Sequence, residues 1–418
     1  MQHFSRINGS LYIENVDLNA IAESYGSPCF AYSRAAIEAA YSSYANALGD
    51  YPGKICYAVK ANSNIAILQV LAKLGSGFDI VSEGELRRVL KAGGQPEKII
   101  FSGVGKTEQE MRFALAQNIA CFNVESEPEL EVLNRVALDM GLVAPISLRV
   151  NPDVDAKTHP YISTGLKENK FGIDIERAPQ VYVRAQKLAG INISGVDCHI
   201  GSQLTEKAPF LDALERVLKL IDTLKENDIE LKHIDLGGGL GICYKDEVIP
   251  DAGVLINDII AQISGRGLEL VLEPGRSIVG NAGVMLTEVI YLKPTEHRNF
   301  AIVDAAMNDN IRPALYQAWQ NVVCVNDTKA EEKSWDLVGP ICETGDFIAK
   351  DRSLALETGT RLAMHSSGAY CFAMSSNYNS RGRAAEVLID GDQHSLIRRR
   401  ESFDDLIANE SLLSEARD

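Results

Sequence analysis

The sequence predicts an α/β protein, a (β/α)8 TIM-type barrel joined to a mainly antiparallel β domain. Three observations carry this expectation. Between about residues 30 and 280, short apolar runs alternate with amphipathic stretches of helix length. Eight such runs in about 250 residues match the arithmetic of a closed barrel. Beyond about residue 280, strand-length runs follow one another across turns with few helical stretches between them. On alternation alone, an open doubly wound sheet remains the alternative to the barrel.

The elements follow in chain order. Residues 10–16 read as a strand and are grouped with the β domain, which is therefore expected to comprise 1–29 and 281–418, with the barrel at 30–280. The first barrel strand is 54–60, rich in β-branched and aromatic residues and cut off by the polar turn Ala61-Asn62-Ser63-Asn64. Seven more strands are expected at 77–81, 99–102, 120–124, 146–150, 193–199, 233–236 and 268–273. Helices are expected at 65–74, 83–92, 106–117, 127–140 and 209–227, so the strands must run parallel. In the β domain, strands are expected at 284–292, 300–303, 335–338, 361–364 and 384–389.

Composition narrows the classes of function. The chain has 418 residues, 46% of them hydrophobic, which is ample for two cores. A formal net charge of -16 argues against nucleic acid as a partner. The basic run Arg398-Arg399-Arg400 is flanked by Glu401, Asp404 and Asp405 and reads as a solvated face. No apolar run reaches membrane-spanning length, and the first residues lack the apolar core of a signal peptide. The eight cysteines include no C-x-x-C pair, which argues against structural zinc and disulfides and favours a reducing cytoplasm. No metal is expected.

Several clusters carry chemistry. Lys60 ends a strand at the end of the barrel where such folds place their chemistry, and its amine can form an imine with an aldehyde cofactor. A solvated strand cap is the plain alternative. Gly237-Gly238-Gly239-Leu240-Gly241 lets an anion approach bare backbone N–H groups, although a tight corner explains it too. It is neither a dinucleotide fingerprint, because Ile242 follows, nor a Walker loop. Glu273-Pro274-Gly275-Arg276 places a carboxylate and a guanidinium at one mouth. Glu273 is either an ion-pair partner of Arg276 or the group that keeps a pyridine nitrogen protonated, as pyridoxal phosphate requires. His199 is structural, or a flat ring for stacking on a flat cofactor. Arg312-Pro313-Ala314-Leu315-Tyr316 offers a guanidinium suited to a carboxylate, with a phenol one turn on. Cys342-Glu343-Thr344-Gly345-Asp346 offers a thiol among polar residues, where reactivity is as plausible a role as packing.

Together these segments resemble the fold-type III pyridoxal-phosphate decarboxylases with an alanine racemase-like barrel, over nearly the whole chain. The residues that carry the likeness are Tyr57-Ala58-Val59-Lys60-Ala61-Asn62, Gly77-Phe78-Asp79, Ser82-Glu83-Gly84-Glu85, His199-Ile200-Gly201-Ser202-Gln203, Asp235-Leu236-Gly237-Gly238-Gly239, Glu273-Pro274-Gly275-Arg276, Gly339-Pro340-Ile341-Cys342-Glu343 and Gly368-Ala369-Tyr370. Asn169-Lys170-Phe171-Gly172 departs from the Ser-Lys-Phe-Gly often found in the family.

The resemblance implies pyridoxal 5'-phosphate held on Lys60, with His199 stacked on the ring and Glu273 at the ring nitrogen. It implies cofactor contacts from Asp79, Ser202, Gly237, Gly238, Gly239, Gly275, the Arg276 backbone and Tyr370. It implies that Arg276, Arg312 and Tyr316 hold a distal carboxylate, Glu343 a distal ammonium, and that Cys342 returns a proton; Tyr370 contacts substrate as well. The reaction implied is loss of carbon dioxide from meso-2,6-diaminopimelate to give L-lysine, the last step of lysine biosynthesis. A head-to-tail homodimer with shared active sites would bring Cys342 and Glu343 to the partner's barrel. Ornithine and arginine decarboxylases share the barrel motifs but usually carry Asp where Glu343 stands, and they bind no distal carboxylate. Alanine racemases pair the ring nitrogen with arginine rather than a residue like Glu273. A cofactor-binding regulator without turnover is the reading from another class.

Overall fold

The structure is a computed structural model describing residues 3–155, 159, 164–165 and 169–413. The chain divides into two compact units, Ala36–Asn281 and Met1–Ala35 with Ala282–Asp418.

The first unit is a closed barrel of eight parallel strands: β1 (Gly53–Ala58), β2 (Gly77–Ile80), β3 (Ile99–Phe101), β4 (Cys121–Val124), β5 (Ala144–Asn151), β6 (Ile191–Asp197), β7 (His233–Asp235) and β8 (Glu269–Leu272). Strand β8 pairs back onto β1 through Leu270↔Gly53, Val271↔Lys54 and Leu272↔Ile55. That closure excludes the open doubly wound sheet. Every residue of β2, β3 and β4 is buried, as a sheet covered on both faces requires. Helices lie between the strands, and several of them start at a side-chain cap. Asn64 caps Ile65–Lys73, Ser82 caps Glu83–Lys91 and Ser126 caps Glu127–Asp139. Thr107 and Glu110 form a reciprocal capping box on Glu108–Ala116. Inside the barrel, Cys56, Ile100, Cys121 and Val271 pack into a dry apolar plug.

The second unit is built on a mixed sheet. Its strands include Cys29–Ser33, Gly283–Pro294, Asn299–Val303, Glu332–Val338, Phe347–Ala355, Arg361–Met364 and Ala385–Asp390. Among the described residues, two of its pairings are parallel, Ala385–Asp390 on Cys29–Ser33 and Asn299–Val303 beside Glu332–Val338; the rest are antiparallel. The expected strand at 10–16 is two strands, Ser10–Ile13 and Val16–Asp17, in a small meander with Phe4–Ile7. Glu14 takes a left-handed conformation (φ 51°), so the chain reverses there and Ile13 pairs with Val16. An apolar count does not register a turn of two residues. Ile13, Leu18, Ile21, Ala31, Val284 and Val387 share this unit's core. No helix among the described residues is long and apolar enough to cross a membrane.

Candidate active site

Lys60 lies in a short 3-10 turn, Val59–Ala61, just past the C-terminal end of β1. Its Nζ donates to Asp79 Oδ2 at 2.5 Å. Asp79 sits on β2 and is fully buried, whereas about a third of the Lys60 side chain (36%) is exposed. A buried carboxylate thus orients the amine at the barrel mouth. Glu85, on the helix after β2, accepts the N–H of Val81 at 2.8 Å. Burial pushes its carboxyl up to about 7 against the opposing pull of that N–H and of Lys60.

Three loops after β6, β7 and β8 interlock through glycine. Gly237 and Gly239 take positive φ (65° and 105°), which disfavours any side chain. A Cβ on Gly238 would stand 2.2 Å from the Glu273 carbonyl oxygen, and one on Gly239 would stand 2.6 Å from that of Gly201. Glu273 N–H donates to Gly237 O (2.7 Å) and Leu204 N–H to Gly239 O (2.9 Å). The result is a side-chain-free cradle at the barrel mouth. Arg276 borders it. Its Nη2 donates to Ser202 Oγ at 3.0 Å and its Nη1 to the Tyr244 hydroxyl at 2.6 Å.

His199 follows β6 and is half-buried. Gly238 N–H donates to its Nδ1 at 3.2 Å, which leaves the proton on Nε2 of a neutral ring. Burial, with Arg149 and Lys60 adding positive charge, lowers its pKa well below 6.5. Neutral His199 therefore offers a flat face without charge.

Glu273 follows β8 and is buried, with Asn123 Nδ2 donating to its Oε1 at 3.4 Å. Burial first, then Asp235, Asp79 and Asp197, raises its pKa well above the usual carboxylate range. Its carboxyl binds a proton more tightly than an exposed glutamate does. Arg276 holds Ser202 and Tyr244.

The remaining expected residues lie in the second unit. Arg312 opens the helix Arg312–Tyr316 and is buried; Tyr316 is half-buried. Cys342 and Glu343 are exposed, with Tyr378 donating its hydroxyl to Glu343 Oε2 at 3.1 Å. Tyr370 holds a left-handed backbone (φ 58°). Asp346 ties this loop down, accepting from Ile341 N–H (2.8 Å) and Met307 N–H (2.7 Å).

Sequence reasoning assigned no role to four buried residues at the barrel end, Asn123, Arg149, Asp197 and Asp235, although Asp235 lies in one of the motifs that carry the resemblance. Arg149 pairs with Glu125 at 2.9 Å and lies 3.8 Å from Asp197. It also stacks over Phe171, while Glu125 accepts the Gly172 N–H at 3.0 Å, so the Lys170-Phe171-Gly172 segment is pinned despite Asn169. The signal available was strand alternation, which turns these polar side chains inward. An amine at the mouth, a buried acid of raised proton affinity and a glycine cradle fit an aldehyde cofactor with a ring nitrogen and a phosphate.

Comparison with known proteins agrees with this chemistry. Residues 34–280 match the family model described as the pyridoxal binding domain of pyridoxal-dependent decarboxylases. The chain is 62% identical to diaminopimelate decarboxylase of Pseudomonas aeruginosa over 99% of its own length and 100% of the relative's. It superposes on the crystal structure of diaminopimelate decarboxylase from Helicobacter pylori complexed with L-lysine with a TM-score of 0.91 at 42% identity, covering 94% of this chain and 99% of the other. The M. jannaschii diaminopimelate decarboxylase in co-complex with L-lysine gives 0.93 at 38% identity, with 98% of both chains covered.

Proposed function

This chain belongs to the diaminopimelate decarboxylases of the pyridoxal-dependent decarboxylase family, and from that premise we propose how its own residues divide the work. The protein is a carboxy-lyase that takes carbon dioxide from meso-2,6-diaminopimelate and releases L-lysine, the last step of lysine biosynthesis. Its pyridoxal cofactor, in our reading pyridoxal 5'-phosphate, supplies when bound an aldehyde for an amine and a ring that accepts the electron pair left by departing carbon dioxide.

The chain does the rest. Lys60 would hold the cofactor's aldehyde through Nζ, with Asp79 orienting the amine. Glu273 keeps a proton at the ring nitrogen, so the ring can accept charge. Neutral His199 would offer its flat face to the ring. Ser202, Gly237, Gly238, Gly239, Gly275 and the Arg276 backbone take the phosphate. The Arg276 side chain, Arg312 and Tyr316 grip the distal carboxylate, Glu343 the distal ammonium, and Tyr370 contacts cofactor and substrate. Cys342 returns a proton to the carbon that lost its carboxylate. Cys342 and Glu343 serve the barrel of the partner subunit in a homodimer, which works in the cytoplasm.

The reading is supported above all by Lys60, the proton-holding Glu273 and the Gly237–Gly239 cradle sharing the C-terminal mouth of one barrel. A substrate panel with carbon dioxide readout tests it. Turnover of meso-diaminopimelate should exceed that of ornithine, arginine and lysine by at least about a hundredfold in kcat/KM, because lacking a distal carboxylate leaves buried donors unpaired. Equal rates would remove the assignment of Arg312, Tyr316 and Glu343.

A further inference from the structure

Beneath Glu273 the barrel holds two carboxyls that the division of labour above does not use. Asp197 ends β6, Asp235 ends β7, and the two are paired in register. Asp235 is also in register with Val271, two residues before Glu273, so strand alternation sets Asp235 one level below Glu273 on the neighbouring strand. One carboxylate oxygen from each of Asp197, Asp235 and Glu273 lies within 4.8 Å of the others. All three side chains are buried. Asp235 Oδ1 accepts the Gly237 N–H at 2.8 Å, so the same residue braces the glycine cradle. Asp235 Oδ2 and Asp197 Oδ1 have no hydrogen-bond partner among the described residues.

The charges around this cluster come from several of the surrounding strands. Asp79 on β2 is paired with Lys60 after β1. Glu125 after β4 is paired with Arg149 on β5, which also lies near Asp197. Asn123 on β4 donates to Glu273, and His199 after β6 is neutral. The thiols of Cys56, Cys121 and Cys198 are buried, and burial pushes each of them up. Five carboxyls thus face two cations, beside a buried apolar cluster of Cys56, Ile100, Cys121 and Val271. Carboxylates this close and this dry do not all ionise. Burial and mutual repulsion raise Glu273 and Asp197 well above the usual range, and burial raises Asp235 to about 6.

We propose that Asp235, backed by Asp197, is a positioning residue for the reaction: a fixed anion beneath Glu273 that raises the proton affinity of the pair formed by Glu273 and the cofactor's ring nitrogen. The inference rests on the reading that Glu273 faces that nitrogen. The proton stays between the Glu273 oxygen and the ring, and Asp235 opposes its loss to solvent. Arg149 in turn holds Asp197 in place from β5.

The test loads wild type, Asp235→Asn, Asp197→Asn and Glu273→Gln with pyridoxal 5'-phosphate carrying an isotopic label in the ring nitrogen. The nitrogen chemical shift is followed against pH without substrate. Asparagine keeps the shape of Asp235 and can still accept the Gly237 N–H. Asp235→Asn should lose the ring proton at least about one pH unit below wild type, with kcat reduced about tenfold and KM within about twofold, since one unit is a factor of ten in proton affinity. A ring titration unmoved from wild type overturns the proposal. Should Asp235→Asn fail to fold or load, Asp197→Asn replaces it; a shift in the same direction supports the proposal and an unmoved titration overturns it. Glu273→Gln separates the two levels of the account. If its ring nitrogen titrates as in wild type, the placement of Glu273 at the nitrogen fails, and with it the premise; if only the aspartate variants are silent, the premise stands and this inference falls.

Discussion

His233 begins β7 on the floor of the barrel, where its Nε2 is 2.8 Å from the Ser147 hydroxyl. Gly195 on the neighbouring strand has no side chain because a Cβ would stand 2.3 Å from that nitrogen. Burial, with Lys54 nearby, lowers His233 from 6.5 to about 4. A folded-state pKa below the unfolded one means the unfolded chain binds the extra proton. The stability His233 contributes is therefore complete above pH about 6.5 and is lost as pH falls towards about 4, up to about 3 kcal/mol in all. Asp235 acts oppositely: raised from 3.8 to about 6, it costs stability as pH rises through that window. The two are separated by comparing wild type with His233→Gln in urea titrations at several pH values. The stability gap should change by up to about 3 kcal/mol between pH 7 and pH 4, against wild type on acidification; a gap independent of pH would contradict a buried neutral His233. At this scale, legibility followed position. Lys60 and Glu273 stand at strand ends, where a polar residue is conspicuous after an apolar run. Asp197 and Asp235 are the last residues of their strands, yet each reads as the polar stop of an apolar run and not as an inward group. That they meet depends on register between strands, which one-dimensional pattern does not contain.

At the scale of elements, the barrel strands were legible because both faces are buried and the runs are nearly continuous in apolar residues. Boundaries moved where local chemistry intervened. The strand expected to end at Lys60 ends at Ala58, and the 3-10 turn that follows is what lifts Lys60 beside Asp79. The glycine run reads as bare backbone, but the pattern does not contain the reason for each glycine. Gly237, Gly238 and Gly239 are each required by a different neighbour, His199, Glu273 and Gly201, arriving from other loops. The loop carrying Cys342 shows the same limit. Asp346 joins it to Met307 through a contact across 39 positions of sequence, and nothing in the local pattern announces that partner. A single carboxylate there organises the turn that precedes Arg312 and the turn that holds Cys342.

At the scale of the whole molecule, a net charge of -16 favours solubility, and the proposed division of labour leaves recognition of an amino-acid substrate to local groups such as Arg276 and Arg312. The proposed homodimer has a direct functional signature. If the barrel of one subunit is completed by Cys342 of the other, Lys60→Ala and Cys342→Ala fail separately but complement each other. Equal mixing after subunit exchange should restore about a quarter of wild-type activity, since half the dimers are mixed and each has one intact site. No recovery despite proven exchange would contradict shared sites. Beneath all of these claims lies one about Lys60, that the amine held by Asp79 at the barrel mouth is where the cofactor is attached. The most direct measurement is borohydride reduction of the loaded protein, followed by digestion and mass analysis of the peptides. The pyridoxyl adduct should appear on the peptide that contains Lys60 and vanish in Lys60→Ala. An adduct on a different lysine in the wild-type protein, or one that persists in Lys60→Ala, would contradict the account.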